Sequence, residues 1–234
     1  MRSGCVFRSG HLADATDNDL VVLQQLGIAT VIDLRNTGDY VVHGEDRVPC
    51  GVTLVRIPDD AADMGGAIQA LFDNGTPDEI EQAFPIGAAR EQMRASAVAW
   101  SCEEGHCRRL AEVIRWIIKS DGATLFHCSA GKDRAGFTAA VVQWAAGVAD
   151  DVIVDDYVRS NEQRREANAA LLRALQDRGV PRELLEPLIV QRRESMSDFL
   201  EATRHRWGGI DAYLRMALGL SDDEVASLRA RLVE

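Results

Sequence analysis

Lysine is almost missing from this 234-residue chain: only Lys119 and Lys132 occur, so arginine carries nearly all of the positive charge. Acidic residues outnumber basic ones 37 to 26, and a net charge of -11 repels phosphate-rich partners. Broad binding to nucleic acid or anionic lipid is therefore not expected, and any anion site has to be local. Long apolar runs are missing too. None approaches the roughly 18 residues of a membrane span, and the stretch from Met1 to His11 has no apolar segment of signal-peptide length. Cysteine is sparse: the five at positions 5, 50, 102, 107 and 128 are odd in number and irregular in spacing. A chain of this size needs no disulfide staples, so free thiols, a reducing compartment and a cytoplasmic location are expected. Nor is the composition biased, since 46% hydrophobic and 27% charged residues match a soluble globular domain and argue against disorder.

Short β-branched runs stand at Cys5–Phe7, Thr30–Leu34, Val52–Ile57 and Ala123–His127, separated by polar or helical sequence, as parallel strands with crossovers require. The expected fold is α/β: one domain over residues 1–234 with a central, mostly parallel sheet of four or five strands flanked by helices. Thr16-Asp17-Asn18-Asp19 reads as a helix start, and Gly27 as its stop. Residues 59–105 form an insertion broken by Gly65-Gly66, Asn74-Gly75 and Pro85. Within it, Thr76-Pro77-Asp78-Glu79 is a capping box with proline at the first helical position. This insertion is either a helical lid or a surface element packed on the sheet. Leu110, Val113, Ile114 and Ile117 mark an amphipathic helix leading into the strand at Ala123–His127. Everything beyond residue 134 reads as helical, with stops at Gly147 and Gly179-Val180-Pro181 and a last cap at Ser221-Asp222-Asp223-Glu224.

The central motif is Phe126-His127-Cys128-Ser129-Ala130-Gly131-Lys132-Asp133-Arg134-Ala135-Gly136. Its cysteine-to-arginine spacing is not distinctive alone, because Cys50 to Arg56 and Cys102 to Arg108 repeat it. The first of those runs through Val52-Thr53-Leu54-Val55, which favours an extended strand, and the second encloses Glu103 and Glu104, which repel an anion. Only Cys128 to Arg134 follows an apolar strand, contains a glycine free to take positive φ, carries two cations and opens a helix. Such a loop turns successive N–H groups inward, and the helix N-terminus adds positive potential. That field stabilises Cys128 as a thiolate, a nucleophile suited to attack phosphorus and form a phosphocysteine that water then hydrolyses. The planar fork of Arg134 grips two equatorial oxygens, while Ser129, Ala130, Gly131 and Lys132 complete the phosphate cradle. Lys132 is otherwise an exposed loop lysine.

A leaving alkoxide or phenoxide needs a proton. Asp133 is the first candidate, although it can instead brace the loop by accepting N–H bonds. Asp33, beside Arg35 at a strand end, is the second candidate, and the pair is also placed on the substrate-binding side of the site. Asp59 and Asp60 come third. His127 is expected to fix the loop through hydrogen bonds. Tyr157 and Asn161, at i and i+4 of a helix, either support the loop from behind or simply pack. Cys102, His106 and Cys107 lack a fourth ligand nearby and make a weak zinc signal, so no metal is assigned.

At these residues the chain resembles the bacterial tyrosine/serine phosphatases marked by H-C-x-x-G-K-D-R-(S/T)-G, near the lipid and dual-specificity groups. Phe7-Arg8-Ser9-Gly10, Leu26-Gly27-Ile28 leading into Val31–Arg35, Asp156-Tyr157 with Ser160-Asn161, Gly208-Gly209-Ile210-Asp211-Ala212-Tyr213-Leu214 and Gly219-Leu220-Ser221 carry the likeness across nearly the whole chain. The resemblance implies a phosphomonoesterase that needs no metal or cofactor, a parallel sheet, often a helical lid, and a loop aspartate as acid, the role it gives Asp133. It implies a phosphorylated small molecule or a phosphoprotein as partner. One departure stands out: Ala135 occupies the position of the family's serine or threonine, whose hydroxyl donates to the cysteine sulfur. Two readings follow. In one the enzyme turns over with a slower second step; in the other it is a phosphate-binding module with little turnover. A nucleotide hydrolase is set aside because G-x-x-x-x-G-K-(S/T) is absent, Phe126 and Asp133 standing at two of its positions. A sulfurtransferase is disfavoured by Lys132-Asp133-Arg134.

Overall fold

A computed structural model describes residues 1–58 and 64–233. The chain runs through β1 (Val6–Ser9), α1 (Asp17–Gln25), β2 (Ile28–Asp33), α2 (Thr37–His43) and β3 (Thr53–Arg56). Next come α3 (Met64–Asn74), α4 (Pro77–Ala83), α5 (Ala89–Trp100) and α6 (Glu104–Lys119), then β4 (Ala123–His127) and α7 (Arg134–Ala145). The remainder is helical: α8 (Asp150–Gln163), α9 (Arg165–Asp177), α10 (Arg182–Ile189), α11 (Arg193–Trp207), α12 (Ile210–Ala212) passing into a π-helical turn at Tyr213–Ala217, and α13 (Asp222–Val233). No described helix is long and apolar enough to cross a membrane.

The expected parallel sheet has four strands, all parallel, in the order β1-β4-β2-β3. Strand β4 is therefore interior, and all five of its residues are buried. Alternation along the strands sorts side chains to two faces. Val31 and Leu125 pack with Leu23 of α1 on one side, while Ile32 and Phe126 face the core that includes Ile114 of α6 and Val141 of α7. Full burial of Ile32 and Phe126 contributes roughly 1.5–3 kcal/mol apiece and pins the strand whose end delivers Cys128. Strand β1 runs to Ser9, beyond the Cys5–Phe7 run expected, because its ladder to β4 continues through Arg8↔Phe126 and Ser9↔His127.

A second core lies apart from the sheet. Ile68 and Phe72 of α3, Ile80 of α4 and Phe84 pack against Leu175 of α9 and Leu184, Leu185 and Leu188 of α10. Helices α3 and α4 are thus joined to α9 and α10. Helix α4 begins as its residues dictate: Thr76 accepts from the Glu79 N–H, and Glu79 returns to the Thr76 N–H at 2.8 Å. The Asp59 and Asp60 candidates lie outside the described residues.

Candidate active site

The interior strand β4 ends at His127, and the chain then bends continuously over residues 129–133 before α7 starts at Arg134. The segment is curled, as an anion cradle requires. Gly131 has φ +71°, and a Cβ there would stand 2.5 Å from the Ser9 carbonyl oxygen, so only glycine fits against the end of β1. The His11 N–H donates to the Ser129 carbonyl at 3.2 Å and holds the loop from the same side. Asp133 occupies the N-cap of α7 but makes no side-chain capping bond. The helix's first N–H groups are thus uncapped by a side chain, at its positive end. Cys128, 2% exposed, lies at the floor of a pocket that Ser129, Ala130, Lys132, Asp133 and Arg134 also line.

Arg134 is buried and held by several acceptors, Ser129 Oγ at 3.5 Å among them. Its Nη2 donates to Asp39 Oδ2 at 2.6 Å and its Nη1 to the Leu34 carbonyl at 3.2 Å. Asp39 was not among the residues expected from sequence. It is buried on α2, a helix started by Asn36, whose Oδ1 accepts from the Asp39 N–H at 2.6 Å. The cap pattern Asn36-Thr37-Gly38-Asp39 is the one sequence signal that could have placed it.

Lys132 turns away from a purely exposed position. Its Nζ donates to the carbonyls of Leu188 (2.9 Å) and Ile189 (3.2 Å), the last of α10, and lies 3.6 Å from Asp133 Oδ2. A cation at a helix C-terminus is electrostatically favourable. Asp133 accepts from Gln191 Nε2 at 2.6 Å, and Gln191 Oε1 accepts from the Tyr157 hydroxyl at 2.9 Å. Burial pushes the Tyr157 phenol well above its ordinary pKa, and the nearby Asp133 charge adds to this, so the hydroxyl stays protonated and donates. Asn161 binds the Gln191 backbone at both ends, accepting from its N–H and donating to its carbonyl, each at 2.8 Å. Gly136 admits this support: a Cβ there would meet the Tyr157 ring at 2.9 Å. Arg8 joins two of the quoted sequence signatures by donating to the Asp156 carbonyl (2.6 Å) and to Ser160 Oγ (3.1 Å).

Asp33 and Arg35, expected on the substrate side, lie beneath it instead. Arg35 is fully buried and donates to both oxygens of Asp33 at 2.9 Å and to Asp46 Oδ2 at 2.8 Å. His127 completes the group, its Nε2 3.0 Å from Asp46 Oδ2 and its Nδ1 3.3 Å from the Cys128 carbonyl. The physical reason is charge balance: two buried carboxylates need the guanidinium more than the pocket does. Burial pushes the Asp46 carboxyl up, but contacts from His127, the Leu12 N–H and Arg35 outweigh it and hold it below the ordinary range. Asp33, Asp46 and His127 are the one cluster of metal-ligand chemistry among the described residues, and Arg35 already binds both carboxylates. Cys102, His106 and Cys107 point apart. Cys102 Sγ faces the Val98 and Ala99 carbonyls, His106 stacks on Trp100, and Cys107 Sγ lies 3.9 Å from the Tyr213 hydroxyl.

The pocket's upper walls are apolar and come from Ile68 and Phe72 of α3, Trp100 of α5 and Phe137 of α7. A curled cysteine loop at a helix start without a side-chain cap, with an arginine beside it, is an arrangement able to hold an oxyanion next to a sulfur. A sequence model of the tyrosine phosphatase family matches residues 1–234. The chain is 31% identical over 258 residues to the triple specificity protein phosphatase PtpB of Mycobacterium tuberculosis, covering 100% of this chain and 92% of that protein. It is 30% identical over 238 residues to a putative tyrosine-protein phosphatase of Cupriavidus necator, covering 98% and 78% respectively. A tyrosine-protein phosphatase of Nostoc commune is 28% identical over 240 residues, 96% of this chain and 73% of its own. The chain belongs to the tyrosine phosphatase family and is a protein-tyrosine-phosphatase-like hydrolase.

Proposed function

We propose that the protein hydrolyses phosphomonoesters through a phosphocysteine. The observation that carries this reading is the Cys128 to Arg134 loop: curled, fixed on Ser9 and His11, and opening on the uncapped start of α7. Cys128 attacks phosphorus in line. As the S–P bond forms, the bond to the leaving oxygen breaks and Asp133 delivers a proton to that oxygen. Arg134, held by Asp39 and Leu34, and the loop amides stabilise the equatorial oxygens as charge moves onto them. Asp133, now a carboxylate, then takes a proton from the water that attacks phosphocysteine, releasing phosphate and the thiolate.

The apolar walls supplied by Ile68, Phe72, Trp100 and Phe137 suit an aromatic leaving group, so phosphotyrosine is the substrate we expect to be turned over fastest. Steady-state hydrolysis of p-nitrophenyl phosphate, then of phosphotyrosine and phosphoserine peptides and phosphorylated metabolites, tests this. Turnover is expected to vanish in Cys128→Ser and to be inhibited by vanadate. Phosphate binding without hydrolysis of any ester would overturn it in favour of the binding-module reading that Ala135 suggests.

A further inference from the structure

The geometry points to Gln191 as a positioning residue for the proton transfer, a switchboard amide that holds Asp133 in the orientation from which its second oxygen reaches the leaving group. This rests on the reading of Asp133 as the acid. Gln191 lies 58 positions from Asp133 in the chain, in the link between α10 and α11, and is buried.

Gln191 is held through both its backbone and its side chain. Both backbone polar groups are bound by Asn161 of α8. Lys132 binds the carbonyls of Leu188 and Ile189, fixing the end of α10 just before it. An amide can present either its oxygen or its nitrogen, and Tyr157 decides which. Its hydroxyl, kept protonated by burial, donates to Oε1 and turns the Nε2 donor toward Asp133 Oδ1. Oδ1 is thereby occupied. The proton to be transferred is assigned to Oδ2, whose neighbour is Lys132 at 3.6 Å. As Asp133 gives up that proton it becomes an anion, and the neutral N–H···O contact becomes charge-assisted and stronger. The contact thus favours the transition state over the ground state, which is the condition for accelerating a step. The same bond orients the carboxylate when it accepts a proton from water in the second step.

The test compares phenyl phosphate, whose leaving group needs the proton, with p-nitrophenyl phosphate, whose leaving group needs it little. In Gln191→Leu the kcat/KM for phenyl phosphate, which reports phosphocysteine formation, should fall roughly tenfold, a fraction of the 10²–10⁴ that acid catalysis supplies. The kcat/KM for p-nitrophenyl phosphate, which excludes the shared second step, and inhibition by vanadate should change less than about twofold, because the loop itself is intact. Tyr157→Phe, which keeps the ring against Gly136 but frees the amide, should show the same selective loss in weaker form. Gln191→Leu placed on Asp133→Asn should add nothing. Equal losses with both esters, or full additivity in the double variant, would mean that Gln191 only supports the fold and would overturn the inference. If Asp133→Asn itself spares phenyl phosphate, the assignment of the acid fails instead, and the two failures are distinguishable.

Discussion

Two buried arginines, one just past β2 and one opening α7, have opposite fates. Arg35 is closed in by Asp33 and Asp46 and fully buried, its charge spent inside the fold. Arg134 is held by the Asp39 carboxylate, the Leu34 carbonyl and the Ser129 hydroxyl, and it lines the pocket. Both are charged groups of the same type held by aspartate. What separates them is place: Arg35 is sealed inside the fold, where its ion pairs stabilise an arrangement, whereas Arg134 borders the cavity into which an oxyanion would enter. The Arg35 cluster is a foundation for β4 and the loop, and the Arg134 cluster is the one we propose for the chemistry.

Substituting the two arginines tests this division most strongly. Arg35→Met leaves two carboxylates buried without their cation and should cost about 3–5 kcal/mol of stability, read by chemical denaturation. Arg134→Lys keeps a charge over Asp39 but loses the fork, and kcat should fall by roughly 10²–10³ with little change in the melting temperature. If Arg35→Met stays as stable as the parent while losing turnover, the comparison is broken.

Acid should act on the foundation. Asp46 is held below the ordinary carboxylate range in the folded state, so its contribution is complete above its unfolded pKa, about 3.9, and is lost as pH falls through the folded value. Asp46→Asn should therefore be less stable than the parent at neutral pH, with the gap closing as the pH drops below about 4. A gap that is constant with pH would show that Asp46 acts by shape and not by charge.

The smallest expected effect concerns Ala135, a fully buried residue that begins the second position of α7. Restoring a hydroxyl with Ala135→Ser should speed phosphocysteine hydrolysis by a few-fold, on the order of one hydrogen bond's worth of sulfur stabilisation. Rapid-mix kinetics measure it as a smaller burst and a faster steady state. Unchanged burst and turnover would remove the idea that this hydroxyl matters here.

Much of the architecture was legible before any coordinates. The β-branched runs, the Gly27 stop and the capping box at Thr76 are local signals, and each marks an element that forms there. The loop was legible for the same reason: strand, cysteine, glycine and arginine lie within one short segment. Helix α2 was not, since Thr37-Gly38-Asp39-Tyr40 carries little apolar periodicity, and with it went Asp39.

Sequence alone determined the class of fold, the cysteine loop and the family to which the chain belongs, because those depend on neighbours in the chain. Only the tertiary structure decided that Asp33 and Arg35 serve as a buried foundation, that Lys132 grips the end of α10, and that Gln191 reaches Asp133. These are encounters between segments tens of residues apart, and a side chain's partner across such a distance is set by how the two cores pack, which no local pattern records.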